Sequence, residues 1–313
     1  MENRLIVNAA PHIRENSSTR KIMLDVLIAL CPAVIASAII FGARALLVVG
    51  VTAAASVAFE YLYCYIAKKP IPVGDLSAVV TGVLLAMNLP STLPLWMAII
   101  GAFVSIVIVK QLFGGLGHNF ANPAIVGRIV LALSFTSYMT SYGFPAVNNT
   151  GIDALATATP LAATKTADLP LLPLLMGTHG GVLGETCALA LLLGGVYLIV
   201  RKVIAPTIPL MYIGTMFVLS LISTGSPYEA AVQLLSGGLL LGAIFMATDY
   251  VTSPYTFTGK LVFGFGLGLI TWAIRFLGTS AEGVSFAILL MNILVPYIND
   301  LTLQKPLGGV KKQ

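Results

Sequence analysis

The side chains best able to do chemistry are polar residues set among long apolar stretches. Asn119 and Asn122 follow a glycine-rich segment, 114–117, whose backbone freedom would allow close approach to a planar ring. Their amides offer hydrogen bonds without charge. Asp249 lies at the end of an apolar run, and at membrane depth such a charge costs at least about 2.5–3.5 kcal/mol. We predict that it either caps a helix end near water or belongs to an ion path.

Two further charges, Glu60 and Arg128, lie within apolar stretches. Glu60, like Asp249, is predicted either to cap a helix end near water or to belong to an ion path. Arg128 is predicted to pair with an acid or to hold a phosphate, with the ion pair preferred. The three cysteines have no Cys-x-x-Cys spacing and the histidines have no partner spacing, so neither a disulfide framework nor a metal site is predicted.

Composition indicates an integral membrane protein of the all-α class. The chain has 313 residues, of which 58% are hydrophobic and only 9% are charged, whereas soluble domains carry about 25% charged residues. Basic residues give a net charge of +5 but are scattered without a basic stripe, so no nucleic-acid partner is predicted. About 20 apolar residues cross a bilayer. Ten candidate spans are predicted at 22–41, 45–67, 76–89, 95–112, 122–139, 182–200, 208–224, 231–247, 261–277 and 284–298.

The distribution of Lys and Arg predicts the orientation of these spans. With the N-terminus inside and ten crossings, thirteen basic residues are cytoplasmic, three are outside and Arg128 lies within a span. Such an asymmetry is typical of a correct topology. Both termini are therefore predicted to be cytoplasmic, in a bacterial or archaeal cytoplasmic (inner) membrane.

The spans divide the chain into five parts. These are a cytoplasmic N-terminal segment (1–21), a first membrane repeat (22–139), an extracytoplasmic loop (140–181), a second membrane repeat (182–299) and a cytoplasmic tail (300–313). A faint duplication relates the two repeats, and five helices per repeat would make them inverted in the membrane. The third, fifth and eighth spans are flanked or interrupted by Gly, Pro, Asn or Asp, which favours broken helices. This plan is similar to that of urea channels.

The long polar loop contains the stretch DALATATPLA at 153–162. It resembles the flavinylation motif Asp-x-x-Ser/Thr-Gly-Ala-Thr, which is recognised by a transferase that esterifies FMN onto a threonine. On this resemblance Thr159 is the acceptor, Asp153 is the motif acid and Ala158 is the small residue beside the acceptor. The motif's fourth position holds Ala instead of Ser/Thr, and Thr157 replaces the usual Gly, so Thr157 stays open as a competing hydroxyl.

Two other stretches carry a resemblance to one family. Residues 114–124 read GGLGHNFANPA, similar to the signature Gly-Gly-x-Gly-x-Asn…Asn-Pro-Ala. Residues 245–254 read FMATDYVTSP, similar to Met-Ala-Thr-Asp-Pro-x-Thr-Ser-Pro, with Tyr250 in place of the first Pro. Both signatures belong to the family that unites the D subunit of Rnf complexes with the NqrB subunit of the sodium-pumping quinone reductase. The resemblance spans nearly the whole chain, and the form of the flavin motif favours the Rnf branch.

This resemblance implies a flavoprotein subunit of a redox-driven ion pump. Rnf complexes couple electron flow between reduced ferredoxin and NAD to transport of Na+ or H+, and the D subunit would relay electrons through covalent FMN without being catalytic alone. The implied partners are the A, B, C, E and G subunits, one of which carries a second covalent flavin, together with the flavin transferase and membrane lipid. A noncovalent riboflavin within the helix bundle stays open as a second cofactor.

Two other functions compete with this interpretation. The broken-helix plan alone would also suit a urea-channel-like passive transporter, because fold does not decide function. The family resemblance also allows an NqrB-like subunit of a quinone reductase. The flavin motif distinguishes the redox subunit from the channel, since a channel has no use for an external flavin acceptor.

Overall fold

The computed structural model describes residues 18–142, 171–177, 179–278 and 283–303, and every regular element in these ranges is helical. Two of the helices begin as α-helix and continue as π-helix, through Val104–Gln111 and Gly242–Met246. The helices are α1 (Thr19–Phe41), α2 (Ala43–Ile66), α3 (Ser77–Met87), α4 (Leu95–Gln111), α5 (Pro123–Ser134), α6 (Thr136–Met139), α7 (Leu171–Met176), α8 (Ala188–Val200), α9 (Thr207–Thr224), α10 (Pro227–Leu235), α11 (Leu239–Met246), α12 (Phe257–Leu277) and α13 (Val284–Thr302).

Long helices form here because apolar residues cover most of their surface. Within the described ranges, α1, α2, α9, α12 and α13 are long and apolar enough to cross a membrane, and the bent pair α10–α11 would make a sixth. Only 28–44% of the residues in their apolar windows are buried in the protein. Water would disfavour such outward apolar faces, whereas lipid does not. The predicted all-helical class is thus confirmed, and the chain fits a multi-pass membrane protein.

The shorter apolar helices are α3, α4, α5 and α8. They occupy the third, fourth, fifth and sixth predicted spans, but several bounds differ from the prediction. In the fifth predicted span the main helix, α5, ends at Ser134, because the backbone dihedral angles of Phe135 are not helical. The eighth span is broken, as predicted, and α10 and α11 meet at 68°.

The start of the sixth predicted span is wrong. Residues 182–187 are apolar enough to suggest helix, yet α8 begins only at Ala188. Residues 182–186 are buried and form a turn, in which Glu185 N–H donates to the Val182 carbonyl at 3.1 Å. The amides of Leu183 and Gly184 donate to the carbonyls of Leu89 and Met87 at 3.1 and 2.7 Å. Here the apolar composition indicates that the segment is buried, although the segment is not helical.

The core brings the two halves of the chain together. Helix α1 contacts α8, and α5 contacts α13. The ends of the half-length helices α3 and α11 meet near the centre, where the Asn88 side-chain amide lies 3.5 Å from the sulfur of Met246. Most of the predicted segments 1–21, 140–181 and 300–313 lies outside the described residues, so the five-part division stays a prediction.

Candidate functional site

A pocket lies where α3, α4 and the N-terminus of α5 approach the loop after α11. Its walls are mostly apolar, and the centre of a water molecule can occupy about 90 Å³ of it. Its polar lining comes from both halves of the chain. These polar residues are Ser77, Thr81, Lys110, Asn119, Asn122, Thr248, Asp249 and Tyr250. The pocket therefore gathers three of the residues singled out from sequence, Asn119, Asn122 and Asp249.

The glycine-rich segment shapes one wall of the pocket. Gly114, Gly115 and Gly117 have φ values of +121°, +95° and +93°, which side chains with a Cβ rarely adopt. A Cβ on Gly114 would also lie 3.2 Å from the His118 side chain. These turns lead the chain from the end of α4 to Asn119 and Asn122, as the sequence predicts for a turn-rich break.

Asn122 joins the two signature segments. Its Oδ1 accepts from the backbone N–H of Ala124 at 3.1 Å and so caps α5, while its Nδ2 donates to the carbonyl of Met246 at 3.3 Å. With its amide turned to satisfy its neighbours, Asn292 on α13 accepts from the Asn122 backbone N–H and donates to the Thr252 carbonyl, both at 3.0 Å. Asn122 is thus a structural junction as well as a pocket residue.

Asn119 differs, because it keeps an unused acceptor. Its side chain is 8% exposed and its Nδ2 donates to the Ala121 carbonyl at 3.5 Å. Its Oδ1 has no hydrogen-bond partner among the described residues. A buried polar atom without a partner costs free energy, so an N–H group of a pocket ligand would fit this position.

Asp249 lies in the loop after α11 and accepts a hydrogen bond from Thr252 Oγ1 at 3.1 Å. Burial raises the pKa of its carboxyl above the ordinary value, and hydrogen bonds from Thr252 and from the Val251 and Tyr250 backbone oppose that rise. The carboxyl therefore takes up a proton more readily than a solvated aspartate.

A buried ion pair joins α4 to α2 beside the pocket, and its lysine, Lys110, lines the pocket wall. Lys110 Nζ lies 2.6 Å from Glu60 Oε1 and 2.6 Å from Ser77 Oγ, and Gln111 Nε2 donates to the same Glu60 oxygen at 2.8 Å. Ser77 Oγ in turn donates to Asp75 at 2.6 Å. The sequence predicts Lys110 at the cytoplasmic end of the fourth span, and the structure buries it within α4, where it is 2% exposed.

A second buried ion pair lies at the junction of the halves. Arg128 on α5 donates to Asn88 Oδ1 at 2.9 Å, to Ser285 Oγ at 3.0 Å and to Glu185 Oε1 at 3.2 Å. The predicted pairing of Arg128 with an acid is found, although Glu185 had not been singled out. Its signal in the sequence, an acid beside an apolar Gly-rich stretch, is weak.

The predicted flavin-attachment residues Asp153, Ala158 and Thr159 lie outside the described residues. Within the described chain, the site is a largely apolar pocket between two broken half-helices, with a buried lysine in its wall. Together with the long lipid-compatible helices, these features define a multi-pass helical membrane protein that can enclose a small ligand between its two halves.

Comparison with known proteins specifies the family. A family model described as the NQR2, RnfD, RnfE family matches residues 6–308, and the chain belongs to that family. It is 44% identical to the D subunit of the Na+-translocating ferredoxin:NAD+ oxidoreductase complex of Acetobacterium woodii, over 99% of this chain and 97% of that protein.

Other relatives are similar over nearly their whole length. The D subunit of the proton-translocating ferredoxin:NAD+ oxidoreductase complex of Clostridium ljungdahlii is 39% identical, over 96% of this chain and 95% of the relative. The D subunit of the ion-translocating oxidoreductase complex of Cronobacter sakazakii is 34% identical, over 96% of this chain and 98% of the relative. The relatives' names thus include both sodium and proton transport.

Proposed function

We propose that this chain is the D subunit of an ion-translocating ferredoxin:NAD oxidoreductase complex. The observation that carries the proposal is its end-to-end similarity to a protein with that name, at 44% identity over 99% of this chain and 97% of the relative. The protein acts within an assembly and is not catalytic alone. Its partners are the other Rnf proteins, the A, B, C, E and G subunits, in a bacterial or archaeal cytoplasmic membrane.

The electron carrier is FMN esterified to Thr159. The motif at 153–162 supports this assignment, with Asp153 and Ala158 serving recognition by a flavin transferase. FMN supplies the one- and two-electron redox chemistry that an electron relay needs. The role of the protein is to hold the ring near the bundle, and the covalent ester keeps its effective concentration high outside the cytoplasm.

The architecture that suits this role has ten crossings in two inverted five-helix repeats. The first helices of the two repeats, α1 and α8, contact each other, as do the fifth helices, α5 and α13. Such self-pairing is expected when a two-fold axis in the membrane plane relates the repeats. Both termini are then cytoplasmic, and the loop that carries Thr159 is outside.

The pocket suits a second, noncovalent flavin such as riboflavin. Its mostly apolar walls would bury a planar ring, and the Oδ1 of Asn119, which has no partner in the described part of the chain, would accept from a ring N–H. Lys110, held by Glu60 and Ser77, would place a positive charge close to an electron-rich ring edge. These residues bind and orient the ring and exclude water from it.

The transported ion is Na+ or H+, and Asp249 is the candidate residue on its path. It lies in the pocket wall, and its carboxyl can carry either a proton or a negative charge that attracts a cation. Replacement by Asn would remove both capacities. We expect Asp249→Asn to reduce ion transport more than it reduces electron transfer in the whole complex.

A passive channel is disfavoured by the way the bundle centre is filled. Gly184 lies between the two half-helices, so that a Cβ there would come within 2.8 Å of Met87 and 3.0 Å of Leu241. Protein atoms therefore fill the space around Gly184 between these two half-helices. An NqrB-like quinone reductase is the remaining alternative, and a quinone-dependent assay of the whole complex distinguishes it.

Fluorescence of the denatured protein tests the covalent flavin. Wild-type chain made in cells that contain the flavin transferase should give a fluorescent band on a denaturing gel, since only a covalent flavin survives. Thr159→Ala should give a dark band at equal protein load, and the matched control Thr157→Ala should stay fluorescent. A dark wild-type band would contradict the proposal, and loss of fluorescence in Thr157→Ala alone would move the attachment site.

A further inference from the structure

Three hydrogen-bonded side chains connect the turn before α3 to the wall of the pocket. Asp75 lies in that turn and is partly exposed. Ser77 Oγ donates to Asp75 Oδ1 at 2.6 Å, and Lys110 Nζ donates to Ser77 Oγ at 2.6 Å. Ser77 and Lys110 both line the pocket, where they are 3% and 2% exposed. Two short hydrogen bonds thus link an accessible carboxyl to an ammonium group at the pocket wall.

The chemistry of this chain suits proton transfer. A carboxyl and an ammonium group can each gain or lose a proton, and a serine hydroxyl both donates and accepts a hydrogen bond. Ser77 uses both capacities here, because it accepts from Lys110 and donates to Asp75. A proton can therefore pass along the chain without any side chain leaving its place.

Glu60 balances the charge of Lys110. Its Oε1 lies 2.6 Å from Lys110 Nζ and also accepts from Gln111 Nε2 at 2.8 Å. Two buried charges cost desolvation energy, and an apolar pair is often no less stable, so stability alone gives little reason for an ion pair here. After Lys110 releases a proton, the negative charge left on Glu60 attracts another.

Other charged or titratable groups face the same region. Cys64 Sγ on α2 lies 3.8 Å from Gln111 Oε1, and Lys69 lies near Cys64 at the end of that helix. Asp249 lines the pocket from the loop after α11 and accepts from Thr252 in its own loop. Asp249 is therefore the competing proton donor to a pocket ligand, whereas Lys110 has a hydrogen-bonded route to a partly exposed acid.

We propose that Lys110 donates a proton to a flavin ring bound in the pocket, and that Ser77 and Asp75 return a proton to Lys110 from the cytoplasm. These three residues are hereafter the proton relay. The inference rests on the proposed function, which supplies both the noncovalent flavin and the cytoplasmic position of the turn before α3.

The step balances in protons and electrons. For each electron pair that the ring receives from reduced ferredoxin through the complex, one N–H bond of Lys110 breaks and one N–H bond forms at a ring nitrogen. Ser77 then passes its hydroxyl proton to the neutral Lys110 amine, and its oxygen takes a proton from the Asp75 carboxyl. Asp75 draws that proton from water.

Proton uptake during single turnovers of the assembled complex tests the relay. Complex in weak buffer with a pH-indicating dye is mixed with reduced ferredoxin, once with riboflavin bound and once after riboflavin has been extracted. The difference between the two traces reports proton uptake at the pocket. Asp75→Asn should slow this uptake by about 100-fold, the lower end of what a positioned proton-transfer group contributes.

Conservative variants separate the relay from a structural role. Asp75 also accepts from the Ser77 backbone N–H at 2.7 Å, as a capping residue does. Asn can accept both hydrogen bonds from Ser77 but cannot carry the proton, so riboflavin affinity should stay at the wild-type value in Asp75→Asn. Ser77→Ala should slow uptake as Asp75→Asn does, whereas Ser77→Thr keeps a hydroxyl and should restore it. Asp300→Asn, which alters an exposed acid near the end of α13, is the matched control.

Each outcome decides between the proposals. Wild-type uptake in Asp75→Asn would overturn the relay, as would slow uptake there together with weakened riboflavin binding. Slow uptake in Asp249→Asn, with wild-type uptake in Asp75→Asn and Ser77→Ala, would make Asp249 the donor instead of Lys110. If Ser77→Ala does not assemble, Asp75→Asn decides. A wild-type complex that binds no riboflavin would defeat the pocket flavin and the relay together, whereas bound riboflavin with unaltered uptake in the variants would defeat the relay alone.

Discussion

Removing one member of the Glu60–Lys110 ion pair should cost far more stability than removing both. The charged atoms are 2.6 Å apart, and the side chains are 0% and 2% exposed. At that distance, with an effective dielectric constant of about 20, the attraction is about 6 kcal/mol, most of which offsets the loss of hydration. Glu60→Gln or Lys110→Met leaves a buried charge without its partner, at a cost of about 3–5 kcal/mol. The double variant should be close to wild type.

Thermal unfolding at a fixed heating rate in detergent measures this difference. Each single variant should unfold at a clearly lower midpoint than wild type, and the double variant should unfold close to the wild-type midpoint. Asp25→Asn, which breaks an ion pair whose arginine is 56% exposed, should leave the midpoint unchanged. Single variants as stable as wild type, or a double variant as unstable as the singles, would refute the reasoning.

Two further predictions concern packing and pH. Gly194→Ala on α8 should lower stability by about 1–3 kcal/mol, because its Cβ would meet the backbone carbonyl of Ala29 on α1. The control Gly214→Ala, whose Cβ would have nothing within 4 Å, should not lower it. Equal thermal midpoints for the two variants would contradict this. Burial lowers the pKa of His179 to about 4 from 6.5, so the unfolded chain takes up the proton first as pH falls. The stability of wild type should therefore decline between about pH 6.5 and 4, by about 3 kcal/mol in full. His179→Gln should decline less over that range, and identical pH profiles would show the reasoning to be wrong.

The presence of the helices and the positions of their breaks could be predicted from sequence, because a helix that crosses lipid must be long and apolar. The eighth span carries Ser-Gly-Gly at 236–238, and the chain bends by 68° there. The same rule misassigned 182–187, because the chain pairs with α3 at this depth without forming a helix. The π-helical turns Val104–Gln111 and Gly242–Met246 likewise leave no mark on hydrophobic periodicity.

The pocket was partly predictable, since its asparagines and Asp249 stand in two polar signature segments. The two ion pairs were not. Their members are 50 and 57 positions apart in sequence, as residue numbers 60 and 110, and 128 and 185, show. Pairing such charges requires knowing which helices touch. A positive-inside count treats Lys110 only as a marker of sidedness, although its charge is satisfied inside the bundle.

The most direct test of a flavin-bearing electron relay is the intact mass of the chain purified from its native host, followed by peptide mapping. We expect a chain heavier than its sequence by one FMN less one water, with the added mass on the peptide that contains Thr159. A chain with the unmodified mass, from cells with an active flavin transferase, would contradict the relay.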